Sequence, residues 1–223
     1  MKYLTHWLLP IITLFIIAYL RLQDGYLTEV VRLNSFDYLQ STDPIVQSKD
    51  VIIVKLDEKA IEQYGQWPWP RDVLADIVWK LREQGAGMIV MPILFSEPDS
   101  HGKDMQFIEN IAGNGVIIAQ VGTTQTNKNA VPRGVAKIGD PLPWLFEWPG
   151  MLGPIELFGI NADGVGVINI APEIDGVVRR MPTIMRVGEE TYPAIAVETI
   201  RVAMGAPSYQ IKADETGVVA VRV

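Results

Sequence analysis

From Trp7 to Leu20 the chain reads WLLPIITLFIIAYL without one charged residue. No other feature restricts the fold as strongly, because such a stretch must find lipid or a protein interior. Counted from Tyr3, the run is about 18 residues, near the lower limit for crossing a bilayer, and Lys2 and Arg21 bound it. It ends Ala-Tyr-Leu-Arg, without the small residues of a signal-peptidase site, so an uncleaved transmembrane anchor is expected over residues 1–22. A buried helix of a soluble protein is the alternative, but Pro10 and apolar residues on every face suit lipid better. Lys2 on one side and Arg21 and Arg32 on the other leave the orientation undecided by the positive-inside rule.

Leu27, Val30, Val31, Phe36 and Leu39 then recur at roughly helical spacing among Asp24, Glu29, Arg32 and Asp37, which predicts an amphipathic stalk helix over 23–46. Asp43-Pro44 and the polar Gln47–Asp50 mark its end, since a residue before proline avoids the helical region. A globular domain is expected from 47 to 223. Within it, the β-branched run VIIVKL (51–56) predicts a strand covered on both faces, as in a parallel sheet. A helix over 72–85, a strand over 88–95, a helix near 105–112 and a strand over 115–121 continue the alternation. The fold class predicted is α/β, a mostly parallel sheet flanked by helices with right-handed crossovers. From Thr123 to Pro154 the pattern dissolves into Thr, Asn, Gly and Pro, which predicts a long loop with at most short helices. Further on, strands are expected at 164–170 and 177–187, a helix at 192–205, and half a hairpin at the end.

Composition removes several functional classes. The 223 residues carry 19 basic and 26 acidic side chains, net −7, and no basic cluster that could track phosphates, which excludes nucleic acid as a partner. There is no cysteine, and the two histidines are His6 and His101, so no disulfide framework, thiol nucleophile or ordinary zinc site is expected. No P-loop, Gly-x-Ser-x-Gly or metalloprotease motif occurs, and Gly164-x-Gly166 is too short for a dinucleotide fingerprint. No cofactor and no metal is therefore expected.

The candidate site centres on GQWPWPR (65–71). Pro68 and Pro70 restrict the backbone, Trp67 and Trp69 can each bury about 200 Å², and the stretch sits where open α/β sheets bind ligands, after the carboxyl end of a strand. Pro70 suits the first position of the helix that follows. Arg71 can stack on an indole or pair with Asp57. Two readings of the corner stay open: a packing clamp, or a ligand-facing wall. Asp57 can cap a short helix, or share an acid pair with Glu97 or Asp99. Glu97, Asp99, His101 and Asp104 only loosely resemble a cation loop, with spacing unlike an EF-hand. Asp175-Gly176 before Arg179 and Arg180 reads as a turn into a strand, with an anion contact as its functional alternative.

An apolar leader, then the strand-acid, Gly-x-Trp-Pro-Trp-Pro-Arg, helix order, then Asp-Gly-x-x-Arg-Arg, resembles the type-two CHASE sensory domain, the cyclase- and histidine-kinase-associated extracellular module of bacterial receptors. The similarity runs from about Arg21 to the end of the chain, and Pro92 stands where the family's second strand commonly has an aspartate. The resemblance implies a periplasmic or extracellular input domain that performs no chemistry itself and passes a small-molecule or physical stimulus to a cytoplasmic nucleotide cyclase or kinase through membrane helices beyond Val223. The apolar stalk, with the symmetry such outputs need, predicts a homodimer, held at the inner membrane. A tethered periplasmic hydrolase using Asp57 with Glu97 or Asp99, and a ligand-free structural module, are the competing classes.

Overall fold

The computed structural model describes residues 2–22, 25–43, 48 and 50–223, and the side chains of all of these except 2–6, 20, 21 and 27. The chain divides into two units, Met1–Lys55 and Leu56–Val223. In the first, the apolar run forms α1 (Lys2–Leu22), with Pro10 inside it. Its described side chains, from Trp7 to Tyr19, are exposed on every face. Among the described residues no helix is long and apolar enough to cross a membrane, so the structure does not establish the anchor expected over 1–22. A second helix, α2 (Tyr26–Thr42), starts after Gly25 and stops at Asp43, whose extended backbone (φ −73°, ψ 139°) is what the following proline demands. Pro44 itself, the rest of that break, and the expected stalk limits at 23 and 46 lie outside the described residues.

The second unit is α/β, as expected, but the sheet order differs from the expectation. Its elements begin with α3 (Glu58–Tyr64), α4 (Arg71–Glu83), β1 (Ile89–Met91), α5 (Asp104–Ile111) and β2 (Val116–Thr123). They continue with β3 (Val135–Ile138), β4 (Phe146–Glu147), β5 (Gly150–Leu152), α6 (Glu156–Asn161) and β6 (Gly164–Val167). The last are β7 (Ile184–Val187), β8 (Glu190–Pro193), α7 (Ile195–Ala203), β9 (Tyr209–Asp214) and β10 (Gly217–Arg222). β2 runs parallel to β1 and to β6 and antiparallel to β5. Two smaller sheets, β10-β9-β3 and β4-β7-β8, each combine one parallel and one antiparallel pair. The sheets are thus mixed, not mostly parallel. The cause is connection length: β7–β8 and β9–β10 are joined by two-residue turns, and a turn that short can return the chain only antiparallel.

Several expected strands are shorter or absent. Val51–Leu56 forms no strand and has no ladder partner among the described residues, and Val51, Ile52, Ile53 and Val54 are exposed. A β-branched run sets a preference for extended backbone and does not supply a partner, and the central place in the sheet belongs to β2. The expected strand 88–95 ends at Met91, before Pro92, which has no N–H for a ladder. Residues 177–183 stay outside β7, because Arg179 folds back on Asp175. The expected strand 164–170 stops at Val167, and the expected helix 192–205 begins only at Ile195, since Tyr192 and Pro193 belong to β8. The segment 123–154, expected to be loop, contains β3, β4 and β5. It is pinned through side-chain amides: Gln120, fully buried, donates from Nε2 to the Val131 carbonyl and accepts from its N–H, at 3.2 and 3.1 Å. Asn169 does the same for Gly122.

Helices cover both faces of β2 and β6. Leu74, Ala75 and Val78 of α4 and Phe107, Ile108 and Ile111 of α5 share one core with Val116, Ile118 and Val165. The alternate positions of β6 are Gly164 and Gly166, and a Cβ on Gly166 would lie 2.3 Å from the Ile195 Cα, so α7 sits with its backbone against the other face. On α7, the fully buried Glu198 accepts from Arg201 at 2.8 and 2.9 Å, from Arg133 at 3.1 Å and from the Tyr209 hydroxyl at 3.3 Å. Burial, and after it the charge on Glu198, holds the Tyr209 phenol well above its ordinary pKa. Removing one partner of a buried pair leaves the other uncompensated. Arg201→Met should therefore cost about 3–5 kcal/mol in urea unfolding, and Glu198→Leu with Arg201→Met should cost less than Arg201→Met alone.

Candidate functional site

The Trp-Pro stretch joins α3 to α4. Asp57 caps α3, its carboxylate accepting the Ala60 N–H at 3.1 Å, and Gly65 closes the helix at φ +85°, a value that favours glycine. The Trp67–Pro68 peptide is cis. The two indoles then take different places. Trp69 is 2% exposed, donates Nε1–H to the Gly65 carbonyl at 2.7 Å and joins the main core. Trp67 leans on it with ring centroids 5.8 Å apart and stays 42% exposed. Pro70 is the N-cap of α4, one position earlier than expected, so Arg71 opens the helix.

Arg71 is the keystone of the wall beneath. Its guanidinium lies 4.6 Å from the centre of the Phe95 ring and 5.8 Å from that of Phe158. Phe95, Phe107 and Phe158 contact one another at 5.1–5.5 Å and are fully buried. The acid that Arg71 meets is Asp104, at 3.5 Å from Nε, and Nη2 donates to the Glu97 carbonyl at 3.3 Å. The pairing expected with Asp57 is thereby corrected: Asp57 is engaged at α3. Asp104 also accepts the Asp99 N–H, and Asp99 accepts the Lys103 N–H at 3.1 Å, which folds 97–104 into a tight acidic loop at the start of α5. His101 stands 3.8 Å from the Asp99 carboxylate.

Between corner and loop lies a cavity of about 330 Å³. It brings together Trp67, Trp69, Arg71, Glu97 and Asp99 of the residues singled out from sequence, with His101 at its rim. Asp57 is not part of its lining, so of the acids singled out only Glu97 and Asp99 meet there. Asp175 and Arg179 are elsewhere too, bound to each other at 2.7 Å in the turn that precedes β7, while Arg180 pairs with Glu173. Arg179 is 5% and Arg180 72% exposed, so the two arginines do point to different environments. Among the described residues no group of three or more acids or histidines could hold a metal ion. Sequence reasoning missed Phe95 and Phe158 as the platform under Arg71, and Asp104 as its acid. The first hides inside a run read as plain strand, and only the Pro92 break hinted that Phe95 leaves the sheet.

The second unit is thus a helix-layered α/β domain with a small cavity, lined by aromatic and acidic residues, after the carboxyl end of its first paired strand. The family profile of the CHASE2 domain matches residues 11–222, and the chain belongs to that family, a family of extracellular sensory domains associated with signalling receptors. No curated protein and no solved structure matches the chain.

The two indoles should separate on mutation. Trp69→Ala should cost about 3–5 kcal/mol in urea unfolding, as for other buried aromatics, and Trp67→Leu about 1 kcal/mol. In the distant turn, the hydrogen bond from Arg179, then that from the Val177 N–H, holds the Asp175 carboxyl at about 2 rather than 3.8. A lowered folded-state value means that this contribution is present at neutral pH and is lost as pH falls through about 2. Arg179→Met should return the Asp175 titration towards 3.8, read by NMR.

Proposed function

We propose that this chain is the extracytoplasmic input domain of a bacterial transmembrane receptor, that α1 anchors it in the inner membrane, and that its stimulus acts at the cavity between the Trp-Pro corner and the 97–104 loop. The observation that carries the reading is the CHASE2 match over residues 11–222, together with a cavity that gathers most of the candidate residues in one place. Support for the anchor comes from the charge-free run Trp7–Leu20 and from apolar side chains turned outward on every face of α1. In this reading the domain does no chemistry, and a cytoplasmic nucleotide cyclase or kinase supplies the output. A ligand shifts such a device only by binding two arrangements unequally.

The working unit in this reading is a homodimer. On α2, Val31, Tyr38 and Leu39 are 65–70% exposed and flank Asn34 and Ser35 in a shallow groove. Helices that leave such a stripe uncovered in water gain by pairing it with a copy of itself.

Because the chain has no cysteine, one engineered thiol reports location without background. Thr126→Cys lies on an exposed stretch of the second unit. A membrane-impermeant maleimide should label it in intact cells, and the protein should stay with the membrane pellet after alkaline carbonate. Labelling only after lysis would reverse the topology, and release by carbonate would remove the anchor.

A further inference from the structure

The geometry points to a ligand class for the cavity: a small organic cation, an amine or quaternary ammonium group, held between the indole face of Trp67 and the carboxylate of Glu97. This inference rests on the sensory reading above and names the chemistry of its stimulus. The size comes first. About 330 Å³ is the low end of small-molecule sites, room for a compact metabolite and too little for a dinucleotide.

Charge then selects the sign. Glu97, Asp99 and Arg71 line the cavity, with His101 at its edge. The positive charge of Arg71 is already engaged, facing Asp104 at 3.5 Å and donating to the Glu97 carbonyl, and its side chain is 11% exposed. Asp99 is held by the Lys103 N–H and lies near His101. The Glu97 carboxylate differs from these, since it is exposed and has no hydrogen bond or ion pair among the described residues. An anion entering the cavity would meet uncompensated negative charge, whereas a cation would complete an ion pair.

The aromatic wall adds the second contact. The corner commits Trp69 to the core at 2% exposure and leaves Trp67 at 42%, braced edge-on by its neighbour at 5.8 Å. An exposed indole and an unpaired carboxylate belonging to residues that line one cavity are the combination that attracts an alkylammonium group, through the ring quadrupole and through full charge. A neutral polyol could stack and donate hydrogen bonds to Glu97, but it would leave the carboxylate's charge unpaired.

The test uses the full chain in detergent, titrated at constant ionic strength with choline, with putrescine, and with 3,3-dimethylbutanol, the uncharged analogue of choline. Tryptophan fluorescence and calorimetry are the readouts. At least one of the two cations should bind saturably and the alcohol should not. Glu97→Gln, at an exposed and unpaired side chain, should raise the Kd about tenfold or more with the melting temperature unchanged. Trp67→Leu should raise the Kd by a similar factor, beside the small loss of stability expected of it, with Trp67→Phe, which keeps a ring, falling between. Equal binding of the alcohol would overturn the cation while leaving the cavity a ligand site. Absence of saturable binding by both cations, or binding indifferent to Glu97→Gln and Trp67→Leu, would overturn the proposal. A chain that labels from outside cells yet binds neither cation keeps its sensory role and loses this ligand class.

Discussion

β2 is buried on both faces, and the rest of the second unit follows from that. Val116, Ile117, Ile118 and Ala119 are each fully excluded from solvent, so neither side of the strand can be left to water. Parallel neighbours alone would not achieve this. Layers of helix must lie above and below, and the chain supplies α4 and α5 for one face and α7 for the other. Where β2 runs past its parallel partners it is taken over by β5, antiparallel, and by the amide of Asn169, which bonds the Gly122 backbone like a fragment of extra strand, while the Gln120 side chain of β2 holds the Val131 backbone in the same way.

The cavity is a by-product of the same arrangement. Once Pro92 ends β1, the chain carries Phe95 down into the core and brings 97–104 across the start of α4. Arg71 fills the angle between them. A guanidinium stacked on one ring and facing one carboxylate holds corner and loop together without hydrogen bonds to every nitrogen, and Nε has none.

Local signals were legible in the sequence, and partner-dependent ones were not. α4 and α5 lie where periodicity put them, Asp57 caps as its neighbours suggested, Asp43 stops α2 before its proline, and the terminal hairpin is present. Each of these depends on residues within one turn of one another. The failures all required a second segment: which strand lies in the middle, whether Val51–Leu56 has a ladder, which acid Arg71 meets, and that 123–154 has strands to pair with. The site followed the same division. Trp67, Trp69, Arg71, Glu97 and Asp99 could be picked out by type and position, but Phe95, Phe158 and Asp104 became visible only through contacts made across sequence.

The glycines of β6 have a mechanical consequence. With no side chain at Gly166 to act as a spacer, α7 rests on the strand backbone itself, and the ionic cluster around Glu198 bolts the same helix to Arg133 and Tyr209. Sliding or rotating α7 against the sheet would drive atoms into one another before it broke any bond. Helix and sheet must therefore travel as one body.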